Sequence, residues 1–213
     1  MDISFFLFSF SSLFALVNPV GISPAFVSFT DRFTKDDVLS IARRSVTAAL
    51  VILLLFAVLG DLIFSLYGIT IHAFRIVGGI LFFRSGLKML ESITSRTRTT
   101  PKEEEEALTK HDIAISPIAI PLIAGPGAIT SSMILFSHAD TAPMMLAFGM
   151  ALLIVMLATY FILRGAEKLL DKIGTTGSRV IQRLMGLLLM VIAVQFIIDG
   201  VTPVAQEILR GTG

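Results

Sequence analysis

The chain has no cysteine, no tryptophan and little charge. Without cysteine it forms no disulfide and offers no thiolate to a metal. Without tryptophan, any aromatic belt at a membrane surface falls to phenylalanine and to the two tyrosines. Charged residues are 15% of the 213 and hydrophobic ones 54%. A soluble domain carries about a quarter charged. This composition is that of an integral membrane protein. The net charge of +1 gives no reason to expect nucleic acid as a partner.

Other absences narrow the function. No Asp, Glu, Lys or Arg lies near the middle of any long apolar run. A charge at the bilayer centre costs about 2.5–3.5 kcal/mol on insertion scales and marks function where it occurs. Its absence argues against a carboxylate proton relay inside the membrane. No phosphate-cradling G-x-x-x-x-G-K-[ST] loop occurs, nor a Ser-His or Asp-Asp constellation or a metal-ligand cluster. His111 and Asp112 are adjacent but lack metal-ligand spacing, and His72 and His138 read as loop residues. No enzyme, cofactor or metal is expected. A transporter without a nucleotide site is a secondary one.

What the chain does have is long apolar runs. A membrane crossing needs roughly 20 residues, and six candidates appear: 3–29, 45–64, 71–90, 113–137, 143–163 and 180–198. The N-terminal run resembles a signal peptide but opens with Asp2 and has no A-x-A-like cleavage site, so it reads as part of the first span. Two spans are interrupted. The first holds Asn18-Pro19-Val20-Gly21, and the fourth holds Gly125-Pro126-Gly127. Proline lacks an N–H and crowds the carbonyl four residues back, and glycine tolerates unusual dihedrals. Both spans therefore read as broken helices. Bare backbone is tolerated at membrane depth only under cover of protein or a water-filled cavity.

The two halves repeat. Pro19, Phe29-Thr30 and Thr34 recur as Pro126, Phe136-Ser137 and Thr141, all offset by 107. Gly68-Ile69-Thr70 answers Gly174-Thr175-Thr176 at 106. Arg75, Gly78 and Glu91 answer Arg183, Gly186 and Asp199 at 108. Residues 1–91 then form one three-helix repeat and 113–213 a second, joined by a polar stretch, 92–112, that reads as a charged cytoplasmic linker. Three crossings per half invert the second relative to the first. The expected fold is an all-α membrane protein of six helices in two inverted three-helix repeats, its first and fourth helices broken. Of 17 Lys and Arg residues, all but Arg75 and Arg210 fall on the side of the linker. Positive residues stay in the cytoplasm, so both termini are expected in the periplasm.

Broken helices at matching repeat positions point to a transport site. Each break exposes N–H groups of the downstream half-helix, which hold a carboxylate, and carbonyls of the upstream one. The candidate substrate-binding residues are Asn18, Pro19, Gly21 and Ser23 at the first break. At the second they are Gly125, Pro126, Gly127, Thr130 and Ser131. Asn18 equally fits a purely structural cap. Thr47, Thr159 and Gln195, polar at mid-span, fit helix–helix hydrogen bonds better than ligand contact. Gly78, Gly79 and Gly186 fit close helix packing.

The strings LFALVNPVGISP, FRIVGGILFF, PIAIPLIAGPGAIT and RLMGLLLM resemble the MarC family, which includes the SnatA-type small neutral amino-acid transporters. The resemblance runs over essentially the whole chain. It implies an inner-membrane permease, with glycine and alanine the suggested substrates. The partners expected are a small neutral amino acid, membrane lipid and a coupling ion, proton or sodium; a homo-oligomer stays open. Two alternatives remain: export of another small metabolite or drug, and a non-transporting membrane scaffold.

Overall fold

The computed structural model describes residues 2–68, 70–91 and 113–211. The linker 92–112, with His111 and Asp112, lies outside the described residues. Every regular element among the described residues is helical.

The chain begins with α1 (Ile3–Val17), which Asp2 caps by accepting the Phe5 N–H at 2.9 Å. Asn18 then takes a left-handed conformation, φ 47° and ψ 59°, and α2 (Pro19–Thr30) follows. Next is α3 (Lys35–Tyr67), with Asp36 and Asp37 in its first turn, where their charge suits the helix dipole. Thr70 caps α4 (Ile71–Leu90) by accepting the Ala73 N–H at 3.2 Å. His72 is therefore in a first helical turn and not in a loop. The second half opens with a π-wound segment, Ala114–Ile123. After it come α5 (Pro126–Ser137), α6 (Ala142–Arg164) and α7 (Ala166–Gly211).

Two helices are longer than the apolar runs suggest. Lys35, Arg43 and Arg44, expected in a loop, belong to α3; Arg179 belongs to α7, while Lys168 and Lys172 lie in its first part, which a non-helical Gly174 (φ 62°, ψ 179°) separates from the rest by a kink. A helix satisfies its own backbone in water as in lipid, so it can continue past the apolar run that anchors it. Among the described residues, four stretches are long and apolar enough to cross a membrane: Ile3–Thr30, Lys35–Gly60, Ala142–Arg164 and Thr176–Arg210. By contrast, α4 carries Arg75, Arg84 and Lys88, and 113–137 is divided at Ala124–Gly125.

The lipid-facing surface is visible in the pattern of exposure. On α6, Leu146, Met150, Leu153, Leu157 and Phe161 are exposed, and on α7 Leu184, Leu187, Val191, Val194 and Ile198. Such helical stripes are costly in water and favourable against acyl chains.

Inside, α4 and α7 pack antiparallel. A Cβ on Gly86 would sit 2.6 Å from the Gly186 carbonyl oxygen, and one on Gly186 would sit 2.7 Å from that of Gly86. Only residues without a side chain let two helix backbones come this close. Gly79 against Ala193 and Gly200 against His72 continue the seam. Elsewhere α1 and α2 lie on α6, while the π-wound segment and α5 lie on α3. The only described glycines with positive φ are Gly68 (63°) and Gly174 (62°). A Cβ on either would meet nothing within 4 Å, so backbone conformation alone asks for glycine there.

Thr47, Thr159 and Gln195 do not bond between helices. Thr47 donates to the Arg43 carbonyl at 2.8 Å, Thr159 to that of Val155 at 2.7 Å, and Gln195 to the Asp199 carboxylate at 2.7 Å. All three partners are four residues away on the same helix. A hydroxyl always has its own carbonyl within reach there, whereas a neighbouring helix must be positioned for it.

Candidate functional site

At the first discontinuity, Asn18 closes both ends. Its backbone N–H donates to the Phe14 carbonyl at 2.9 Å, ending α1, and its Oδ1 accepts the Gly21 N–H at 3.2 Å, starting α2. Asparagine is among the few residues that tolerate a left-handed backbone. Pro19 follows at the first helical position, where its missing N–H costs nothing. Gly21 completes the device, because a Cβ there would collide with the Asn18 side chain. Ser23 donates to the Pro19 carbonyl at 2.8 Å, and both residues are buried.

The second discontinuity is built differently. Ser116 and Ile120 are extended, at φ −128°, ψ 121° and φ −129°, ψ 123°. Each precedes a proline, which drives its neighbour out of the helical region. The segment ends with Ala124 donating to Ala119 at 2.9 Å, a five-residue step. Gly125 is extended, and α5 starts at Pro126 with no side-chain cap. The first N–H to find a helical partner is that of Ile129, on the Gly125 carbonyl at 3.0 Å. Pro126 is exposed with half-buried glycines on either side, whereas Pro19 is buried.

The two discontinuities approach each other. A Cβ on Gly127 would lie 3.0 Å from Cδ2 of Leu16, two residues before Asn18, and 3.7 Å from the Phe82 ring. Val17, Ile22, Ile123, Ala124 and Ala128 share one buried apolar cluster. Thr130 turns its methyl toward Gly78 of α4. Ser131 is fully buried and its hydroxyl has no partner among the described residues.

Sequence reasoning overlooked two neighbours of this region, Ser9 and Ser12. Ser9, Ser12 and Ser132 are fully buried, and their hydroxyls too lack a partner among the described residues. The signal was available: Ser9 and Ser12 are three apart, one helical turn, within a phenylalanine-rich run.

Two cavities lie at another level. One of about 590 Å³ is bounded by Phe26, Thr30 and Lys35 on one side and by Arg164, Glu167 and Lys168 on the other. It brings the cations after α2 and those after α6 to one end of the molecule. The second, about 560 Å³, lies between Arg43, Thr47 and Val51 of α3 and Ala114 and Ile115. Neither is lined by a candidate site residue.

A polar group joins the two halves elsewhere. Arg75 Nη1 donates to the Asp199 carbonyl at 3.4 Å. His138 ends α5 nearby. Burial first, and then the Arg75 guanidinium, hold His138 below the usual imidazole range, against the opposing pull of Asp199 and Asp140.

A family profile described as MarC family integral membrane protein matches residues 3–205. The chain belongs to the MarC family. A MarC-type relative in Methanocaldococcus jannaschii, named as a UPF0056 membrane protein, is 39% identical over 94% of this chain and 98% of its own length. The UPF0056 membrane protein YhcE of Escherichia coli is 36% identical over 94% of each chain. YvbG of Bacillus subtilis, likewise named, is 36% identical over 96% of this chain and 99% of its own. No solved structure matches. This MarC protein is therefore an integral membrane protein, as its composition indicates, and helical throughout its described regular elements.

Proposed function

We infer that this MarC protein is a secondary transporter of small neutral amino acids, glycine and alanine foremost, across the bacterial inner membrane. Its substrate sits between two broken helices near the midplane. Residues 1–91 and 113–213 are inverted three-helix repeats, the linker 92–112 is cytoplasmic and both termini are periplasmic. The observation that carries this reading is the meeting of the two discontinuities at Leu16 and Gly127. Broken helices at equivalent positions of inverted halves, meeting in the interior, are the architecture of a transport site.

Reciprocal packing supports the repeat. The broken helix of each half lies on the middle helix of the other, α1 and α2 on α6, and the π-wound segment and α5 on α3. The last helices, α4 and α7, pair with each other antiparallel, as helices exchanged by a twofold axis in the membrane plane must. Gly68 and Gly174, matched by the sequence offset, both have positive φ. The cavity joining Lys35 to Lys168 puts cations of both halves at one end, in accord with a cytoplasmic face there.

A zwitterion suits such a place. Its carboxylate meets free N–H groups and its ammonium meets free carbonyls, so no net charge is imported. The apolar neighbours Ile22, Ala128 and Ile129 give a charged side chain no partner. Radiolabelled glycine and alanine flux in proteoliposomes, under imposed proton or sodium gradients, tests the reading. Accumulation driven by one gradient and uncompeted by lysine or glutamate is expected. No flux above protein-free vesicles under either gradient would sink it.

A further inference from the structure

The hydroxyls buried in this protein fall into two groups. Ser23, Ser45 and Thr159 each donate to the carbonyl four residues back, at 2.8, 2.8 and 2.7 Å. Ser178 of α7 is buried without a partner among the described residues, and apart from it Ser9, Ser12, Ser131 and Ser132 are fully buried and likewise make no such bond. A buried hydroxyl left unpaired costs about 1–3 kcal/mol. All four belong to α1 and α5, which pack on each other beside the discontinuities.

Helical geometry brings the two sets of serines together. Phe8 packs on Phe196, level with Gly79, while Leu16 and Phe82 both reach Gly127. Gly78 lies against Thr130 and Ile134. It follows that α1 runs with α4 and against α5. Ser12 lies one turn before Leu16, and Ser131 one turn after Gly127, so they occupy facing stripes of the two helices. Side chains lean toward the N-terminus of their helix, which tips Ser131 and Ser132 toward the uncapped first turn of α5. There the N–H groups of Gly127 and Ala128 precede the first intrahelical bond.

These groups are all donors, around one partly exposed helix N-terminus of 12 residues. Deepening the transport reading, on which it rests for the substrate, we propose that the N-terminus of α5 is the substrate's carboxylate site. The N–H groups of Gly127 and Ala128 and the hydroxyls of Ser12, Ser131 and Ser132 hold the carboxylate. The first discontinuity is the poorer carboxylate site, because Asn18 Oδ1 already accepts the Gly21 N–H and Pro19 has none, leaving only that of Val20 in the first turn. A substrate is thereby oriented, with its carboxylate on the α5 side and the rest of it toward α2.

Calorimetric titration of the purified full-length protein tests this with four probes: glycine, alanine, acetate and glycinamide, which lacks the carboxylate. Wild type should bind glycine and alanine, acetate more weakly, and glycinamide not at all. Ser12→Ala and Ser131→Ala should each weaken glycine about tenfold or more, the worth of a hydrogen bond to a charged group. Their unfolding temperatures should not fall. Ser45→Ala, which removes a buried hydroxyl bonded to the Ile41 carbonyl on α3, should leave affinity unchanged. Glycinamide binding as tightly as glycine overturns the proposal without any variant. Unchanged glycine affinity in the Ser12→Ala/Ser131→Ala double variant also overturns it, and leaves the transport reading intact. Acetate binding with no amino-acid binding removes the amino-acid reading while the carboxylate site stands. A wild type that binds no carboxylate overturns the site itself.

Discussion

The two discontinuities occupy matching places in the sequence and are chemically opposite. At the first, one side chain serves both helix ends: Asn18 accepts from Gly21 while its own N–H terminates α1. At the second, glycine stands in the capping position and supplies nothing. Pro19 is buried and Pro126 exposed. Ser23 is bonded to its own helix, whereas Ser131 and Ser132 are unpaired. Pro19 and Pro24 carry no N–H, so the carbonyls of Ala15 and Val20 lose their usual helical donors. The first discontinuity thus has fewer free donors and is rich in acceptors, and the second keeps more free donors. An internal repeat can supply two similar backbones and still divide the chemistry between them through a few short side chains.

The sharpest way to break this comparison is to fill the uncapped side. Gly127→Val puts its Cβ 3.0 Å from Leu16 Cδ2, a tight contact, and adds two methyl groups beside the free N–H groups. Glycine flux should fall to the protein-free background while the protein still inserts and purifies. Normal flux would place the substrate elsewhere. The same kind of change on the capped side should instead damage folding. In Gly21→Ala the new methyl collides with the Asn18 side chain. The loss, from overpacking and a broken cap, should be about 1–3 kcal/mol by thermal or denaturant unfolding. Flux per folded molecule should persist. A variant as stable as wild type would show that Asn18 does not fasten this turn.

A smaller effect separates the two duties of Asn18. Asn18→Gly keeps the left-handed backbone and loses only the side-chain cap, which should cost a few tenths of a kcal/mol. Asn18→Ala loses the cap and also forces alanine to φ near 47°, costing about 1–2 kcal/mol more. If both variants unfold together, conformation is not what selects Asn18.

The sequence was legible where covalent chemistry dictates backbone. Proline and glycine announced both interruptions, α4 runs over the same residues as its apolar run, and the offset paired Gly68 with Gly174, the two described glycines with positive φ. It was less legible where helices leave the apolar zone, so α3 and α7 extend well beyond their runs. Hydroxyls were the hardest to read. Ser23 and Ser131 look alike in sequence, each following a proline by four or five residues. Whether a hydroxyl turns back to its own carbonyl depends on what packs against it, and no local pattern records that.

The smallest expected stability effect is also the most discriminating, and it concerns those two serines. Removing the Ser23 hydroxyl breaks a buried 2.8 Å bond and leaves the Pro19 carbonyl without that partner. Back-bonding to a helix carbonyl is weakly stabilising at best, so Ser23→Ala should cost no more than about 1 kcal/mol. Removing the Ser131 hydroxyl deletes a buried group that is already unpaired. Alanine also has the better helix propensity, by up to about 0.5 kcal/mol. Ser131→Ala should therefore unfold at the same temperature as wild type or slightly above it, while losing glycine affinity. Stability and binding moving in opposite directions is what a functional hydroxyl predicts and a structural one does not. If Ser131→Ala is instead clearly less stable than Ser23→Ala, the Ser131 hydroxyl has a structural partner. The contrast between a capped and an uncapped discontinuity then fails at the residue on which it most depends.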